Sequence, residues 1–126
     1  MAFQIGDGDI TLVTNTDVSP LVEADKILGT ETHSLSKPDA WRKSVASLRR
    51  KDADSDTPYL YLISTDGFAN SYANDEEFNK TCREYYQMIG QHGFDAVKDN
   101  LAKWLKETSK YGCGDDVTVV MVYFAE

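Results

Sequence analysis

The sequence predicts an α/β fold of the α+β type, with mostly antiparallel strands and a packed pair of helices. Two runs, Tyr59–Ser64 (YLYLIS) and Asp116–Phe124 (DVTVVMVYF), are rich in β-branched, aromatic and other apolar residues. Runs of that length and kind suit buried strands. Between them lie two stripes of helical period. One passes through Phe78, Cys82, Tyr85, Tyr86 and Ile89, the other through Phe94, Val97, Leu101, Trp104 and Leu105. Both helices therefore sit between two strands. If those strands are antiparallel neighbours, the end of the first lies beside the start of the second.

From the N-terminus, Phe3 and Ile5 and then Ile10, Leu12 and Val13 flank Gly6-Asp7-Gly8-Asp9. This predicts two strands joined by a tight Asp-Gly hairpin. Thr16 to Pro20 reads as a turn, and Leu21 to Leu28 as a short acidic connection. Ser34 to Arg50 has two readings. Trp41, Val45 and Leu48 recur at helical spacing, with Pro38 suited to a first turn. Trp41, Lys43, Val45, Ser47 and Arg49 would equally line one face of a strand. Lys51 to Pro58 is a polar loop leading into the strand Pro58 to Ser64. Asn74 caps the next helix, with Glu77 placed to close a capping box and Gly90 to stop it. The second helix spans Phe94 to Lys110, with Lys106 and Lys110 near its negative end and Gly112 after it. Asp116 to Phe124 closes the chain as a strand.

A length of 126 residues fits one domain. The net charge of −8, from 21 acids against 13 bases, argues against nucleic acid or an anionic membrane as the main partner. Binding to phosphate backbones or anionic lipid needs a positive face. No stretch approaches the ~20 apolar residues of a membrane span. The start MAFQIGDGDI lacks the basic, then apolar pattern of a signal peptide. Cys82 and Cys113, with His33 and His92, form neither a zinc-ligand spacing nor a disulfide framework. A reducing, cytoplasmic setting is the expectation.

The chemistry concentrates in acids. Asp66 follows directly on the most apolar strand, in Ser64-Thr65-Asp66-Gly67, and Asp115-Asp116 precede the last strand. Each group alone serves as a turn or as a solvated strand start. Together they predict two acidic loops converging on one edge of the core. Carboxylates so placed repel and raise each other's pKa unless a cation neutralises them. Oxygen ligands without paired His or Cys favour a hard ion, Mg²⁺ or Mn²⁺.

These residues carry a resemblance. STDGFANSY resembles the "SDG" segment of PP2C-type, metal-dependent serine/threonine protein phosphatases, most nearly their bacterial branch. GCGDDVTVVMVYF is similar to that family's closing "GSxDNxT" segment, and FQIGDGDITLV to its "GDSR" hairpin, in the same order. The resemblance implies half of an α-β-β-α sandwich, and a strand in the Trp41 region. It implies hydrolysis of phosphoserine or phosphothreonine in protein substrates by a metal-activated water at a two-ion centre of Mg²⁺ or Mn²⁺. Asp66 and Asp115 match the ligand positions. Gly67 would let the backbone pass close to the site, and Asp116 stands where the family has Asn. Asp7 does not match the family's first metal-binding "DG" segment.

Nothing in residues 1–126 matches the family's N-terminal half, which carries further acids. The chain is thus expected to be the C-terminal portion of such a domain, catalytically incomplete alone. A homodimer, or a swapped assembly covering the apolar surface, is expected with it. The alternative is a non-catalytic PP2C-like binding or regulatory module.

Overall fold

The computed structural model describes residues 1–22, 36–48 and 57–125. In chain order the elements are β1 (Ala2–Gln4), β2 (Asp9–Val13), β3 (Val18–Val22), a 3₁₀ turn (Ala40–Lys43), β4 (Val45–Ser47) and β5 (Tyr59–Ser64). Then follow α1 (Asp66–Asn70), α2 (Asp75–His92), α3 (Phe94–Tyr111) and β6 (Val119–Phe124). A four-stranded antiparallel sheet has the order β3-β2-β5-β6, and β1 pairs with β4 in a separate two-stranded sheet. The expected class, antiparallel strands with a helical pair, is the one observed.

The strands flanking the helices are antiparallel neighbours. Ser64 at the end of β5 pairs with Val119 at the start of β6. Alternation along β5 buries Leu60 and Leu62 completely beneath the helices, while Tyr61 and Ile63 turn to the opposite face. Val13 and Thr11 of β2 lie on the helical face, where α2 contributes Phe78, Cys82, Tyr85 and Ile89 and α3 contributes Val97. Phe68 of α1 is fully buried at the centre, its ring against Tyr72, Phe78 and Tyr85.

The other sheet face is apolar too, and among the described residues no helix covers it. Ile63, Val120, Val122 and Phe124 are each at least 40% exposed along it. Ile63, Val122 and Phe124, with Ile10, Leu21, Tyr61 and Met1–Phe3, line a shallow hollow.

Several local expectations need correction. The Gly6–Asp9 segment does not close a β1–β2 hairpin, because β1 leaves to pair with β4, setting Phe3 opposite Ala46. The Gln4 side chain holds the bend by donating to the carbonyls of Gly6 and Gly8. The hairpin is instead β2–β3, turned at Thr14–Asp17, where the Thr14 hydroxyl accepts from the Asp17 N–H at 3.0 Å. Residues Val18 to Pro20, read as turn, are therefore strand. Pro20 is tolerated because β3 is an edge strand. Gly90 does not stop α2, which runs to His92 and ends at Gly93, whose φ of 84° is in the left-handed region. The Asn74 cap is present: its side chain accepts from the Glu77 N–H at 2.9 Å. Glu77 reaches back one residue further than a capping box requires, to the Ala73 N–H. Around Trp41 both readings hold in part, a 3₁₀ turn running into the short β4. Of the connection expected over Leu21–Leu28, Leu21 and Val22 belong instead to β3, and residues 23–28, like the loop over 51–56, lie outside the described residues. Among the described residues, no helix is long and apolar enough to cross a membrane.

Candidate metal centre

Strand β5 ends at Ser64, and the chain turns at once into α1, with Asp66 as its first residue. The short helix was not legible as such; STDG reads locally as a turn. An acid in a first helical turn is favoured by the exposed N–H groups there. Asp66 Oδ1 accepts from the Gly67 N–H at 2.9 Å, and Oδ2 accepts from Asn70 Nδ2 at 3.4 Å.

The opposing wall is the segment between α3 and β6. Gly112 caps α3, its N–H donating to the Thr108 carbonyl at 2.8 Å. A Cβ on Gly112 would fall 2.5 Å from that of Ser71, so this segment lies hard against the end of α1. Ser71 also donates to the Gly67 carbonyl at 2.7 Å and stands 3.4 Å from Cys113 Sγ. Asp115 is held from the other side. The Ser109 hydroxyl donates to its carbonyl at 2.6 Å, and its Oδ1 accepts from the Asp116 N–H at 2.8 Å.

The two walls meet at Gly67 and Thr65. A Cβ added to buried Gly67 would stand 2.6 Å from the Asp116 carbonyl oxygen and 3.3 Å from the Asp115 Cβ. Only glycine fits there. Thr65 continues the β5–β6 ladder by donating its N–H to the Thr118 carbonyl at 3.1 Å. Its hydroxyl accepts from the Thr118 N–H at 3.0 Å and donates to the Asp116 carbonyl at 3.3 Å. The fold thus brings together the segments bearing Asp66, Gly67, Asp115 and Asp116. Asp7 lies in the bend before β2, where a Cβ on neighbouring Gly8 would fall 2.6 Å from the Ser64 carbonyl oxygen.

The donor chemistry fits a hard divalent cation in part. Asp66 and Asp115 each commit one carboxylate oxygen to the next residue's amide. Asp115 Oδ2 has no protein partner among the described residues, and Asp66 Oδ2 has only the long contact to Asn70. The neighbouring groups are carbonyls and hydroxyls, the ligand types of Mg²⁺ and Mn²⁺. Among the described residues, no group of three or more His, Cys, Asp or Glu is gathered for a metal. Two carboxylates would leave most of an ion's shell to water. Thr65, Ser71 and Ser109, which hold this geometry, were missed in the sequence. A hydroxyl before a turn acid is too common to stand out.

No curated protein matches the chain, and no solved structure does. The protein phosphatase 2C family does match, over residues 1–106. The match takes in Asp66, Gly67, α1 and α2, and ends before Asp115. Since it spans most of the 126 residues, the chain belongs to the protein phosphatase 2C family.

Proposed function

We propose that this chain supplies half of the metal site of a serine/threonine protein phosphatase, as the C-terminal portion, residues 1–126, of such a domain. The observation that supports it most is the close approach of Gly67 to Asp115 and Asp116, which closes the Asp66 segment onto the Asp115 segment. Asp66 and Asp115 are the proposed ligands of Mg²⁺ or Mn²⁺. Asp116 contributes its carbonyl to the clamp rather than a ligand.

Bound divalent ions would supply water activation and charge neutralisation for hydrolysis of a phosphoserine or phosphothreonine ester. The chain's own residues do the positioning. Asp66 is fixed at the start of α1 by the Gly67 amide, and Asp115 by Ser109 and the Asp116 amide. Each acid thereby commits one oxygen to the next residue's amide, and the other, which in Asp66 also takes the long contact from Asn70, would be the ligand. The chain alone therefore shows no phosphopeptide hydrolysis with millimolar Mn²⁺, because a two-ion centre needs further acids. Manganese-dependent turnover by the purified monomer would overturn the half-site reading.

The second reading, a non-catalytic binding or regulatory module, draws on the absence of a three-acid cluster among the described residues. An upstream segment bearing the missing acids would exclude it. For the chain alone we propose self-association through the uncovered face of Ile63, Val120, Val122 and Phe124. Two free thiols and the acidic surface accord with a cytoplasmic setting, away from nucleic acid and membranes.

A further inference from the structure

We propose that Thr65 is the positioning residue that sets the gap between Asp66 and Asp115. This rests on the metal-site reading above. The segment carrying Asp115 is tethered by several side chains. Ser71 meets Gly112 and Cys113, and Ser109 binds the Asp115 carbonyl. Both of those tethers start from helices, at α1's end and near the end of α3. Thr65 is the residue immediately before Asp66, and its hydroxyl reaches across 51 residues to Asp116 and 53 to Thr118. With Cys113, whose Sγ donates to the Gly67 carbonyl at 3.5 Å, it ties one acid-bearing segment directly to the other, and it alone does so from the residue before Asp66.

The hydroxyl is used twice, as acceptor from the Thr118 N–H and as donor to the Asp116 carbonyl. Its β-branched side chain has restricted χ1 freedom, so both bonds fix one geometry. Thr65, Asp116 and Thr118 are all exposed. Water can replace the lost partners when the hydroxyl is removed, so little stability depends on it. What changes is the registration of Asp115 against Asp66. Groups that orient metal ligands typically contribute roughly 10–100-fold to affinity.

The test is Mn²⁺ binding to the full 126-residue chain, read as free ion by electron paramagnetic resonance. Wild type, Asp66→Asn, Thr65→Val and Thr65→Ser are compared, with urea unfolding and exchange of the Thr118 amide. Asp66→Asn should lose the bound ion. Thr65→Val should bind roughly tenfold more weakly, with an unchanged unfolding midpoint and faster Thr118 exchange. Thr65→Ser, which keeps the hydroxyl, should bind as wild type. Thr65→Ala carries the same comparison if the valine variant does not fold. Wild-type affinity in Thr65→Val alongside loss in Asp66→Asn would overturn the role of Thr65 and leave the metal site standing. Undiminished binding by Asp66→Asn, or none by wild type, would overturn the site and the role together.

Discussion

A Cβ at Gly67 would stand 2.6 Å from the carbonyl oxygen of Asp116, closer than carbon and oxygen approach without displacement. The obstacle is backbone, so it cannot rotate away. Gly67→Ala should gain up to about 1 kcal/mol in helix propensity and lose about 1–3 kcal/mol to overpacking. We expect a net loss of about 1 kcal/mol or more, measured by urea unfolding, with shifted amide resonances at Asp115 and Asp116. A variant as stable as wild type would show that the two segments are not in contact.

Phe68 anchors the same corner from beneath. It is fully buried among Tyr72, Phe78 and Tyr85, joining α1 to α2 over β5. Phe68→Ala should cost about 3–5 kcal/mol, the range for an aromatic removed from a core with a cavity left behind. A loss below about 1 kcal/mol, the usual range for a surface position, would contradict the placement of α1.

The two thiols should separate by reactivity and by pH. Burial, reinforced by the negative charge of Asp9, pushes the Cys82 thiol up to about 12 from its ordinary 9.0. Burial also raises Tyr85 and Tyr72. A group raised on folding contributes stability that is fully present below its unfolded pKa and is lost as pH rises through its folded pKa. Stability should accordingly hold level up to about pH 9 and fall between 9 and 12. At pH 8, Cys113, which is exposed, should react at once with a disulfide reagent, and Cys82 only on unfolding. Equal rates for the two would place Cys82 outside the core.

Much of this architecture is legible in the sequence because periodicity reports burial. The stripe through Phe78–Ile89 is the face that α2 buries. Of the stripe through Phe94–Leu105, Val97 is buried and Leu101, Trp104 and Leu105 pack partly buried against the core, while Phe94 is exposed. The apolar run at Tyr59–Ser64 is β5. Of the closing run expected as strand over Asp116–Phe124, the part Val119–Phe124 is its partner β6, Asp116 and Thr118 being held instead by Thr65. What escaped was pairing across distance. Phe3 and Ile5 look like half of a hairpin because Asp7-Gly8 is a strong local turn signal, yet β1's partner is β4, far along the chain. Thr16 to Pro20 reads as a turn because Pro20's tolerance in a strand depends on the edge position of β3, which the sequence does not display. At the site, Asp66 and Asp115 stood out by charge beside apolar strands. Thr65 gained its meaning only when Thr118 came alongside.

The uncovered sheet face should show itself in solution. Val120, Val122 and Phe124 point away from the helices on β6, an edge strand with no charged residue in Val119–Phe124. Such an edge invites further pairing. Light scattering of the chain at tens of micromolar should report a dimer or larger species, weakened by Val122→Lys. A monodisperse monomer would rule this out.

Calorimetric titration of Mn²⁺ tests the half-site most directly, using wild type, Asp66→Asn, Asp115→Asn and, as a control on α3, Asp99→Asn. Wild type and Asp99→Asn should bind one weakly held ion, and each of the other two should lose affinity by roughly tenfold or more. Equal binding by all four proteins, or loss on replacing only one of Asp66 and Asp115, would contradict a shared ion between them.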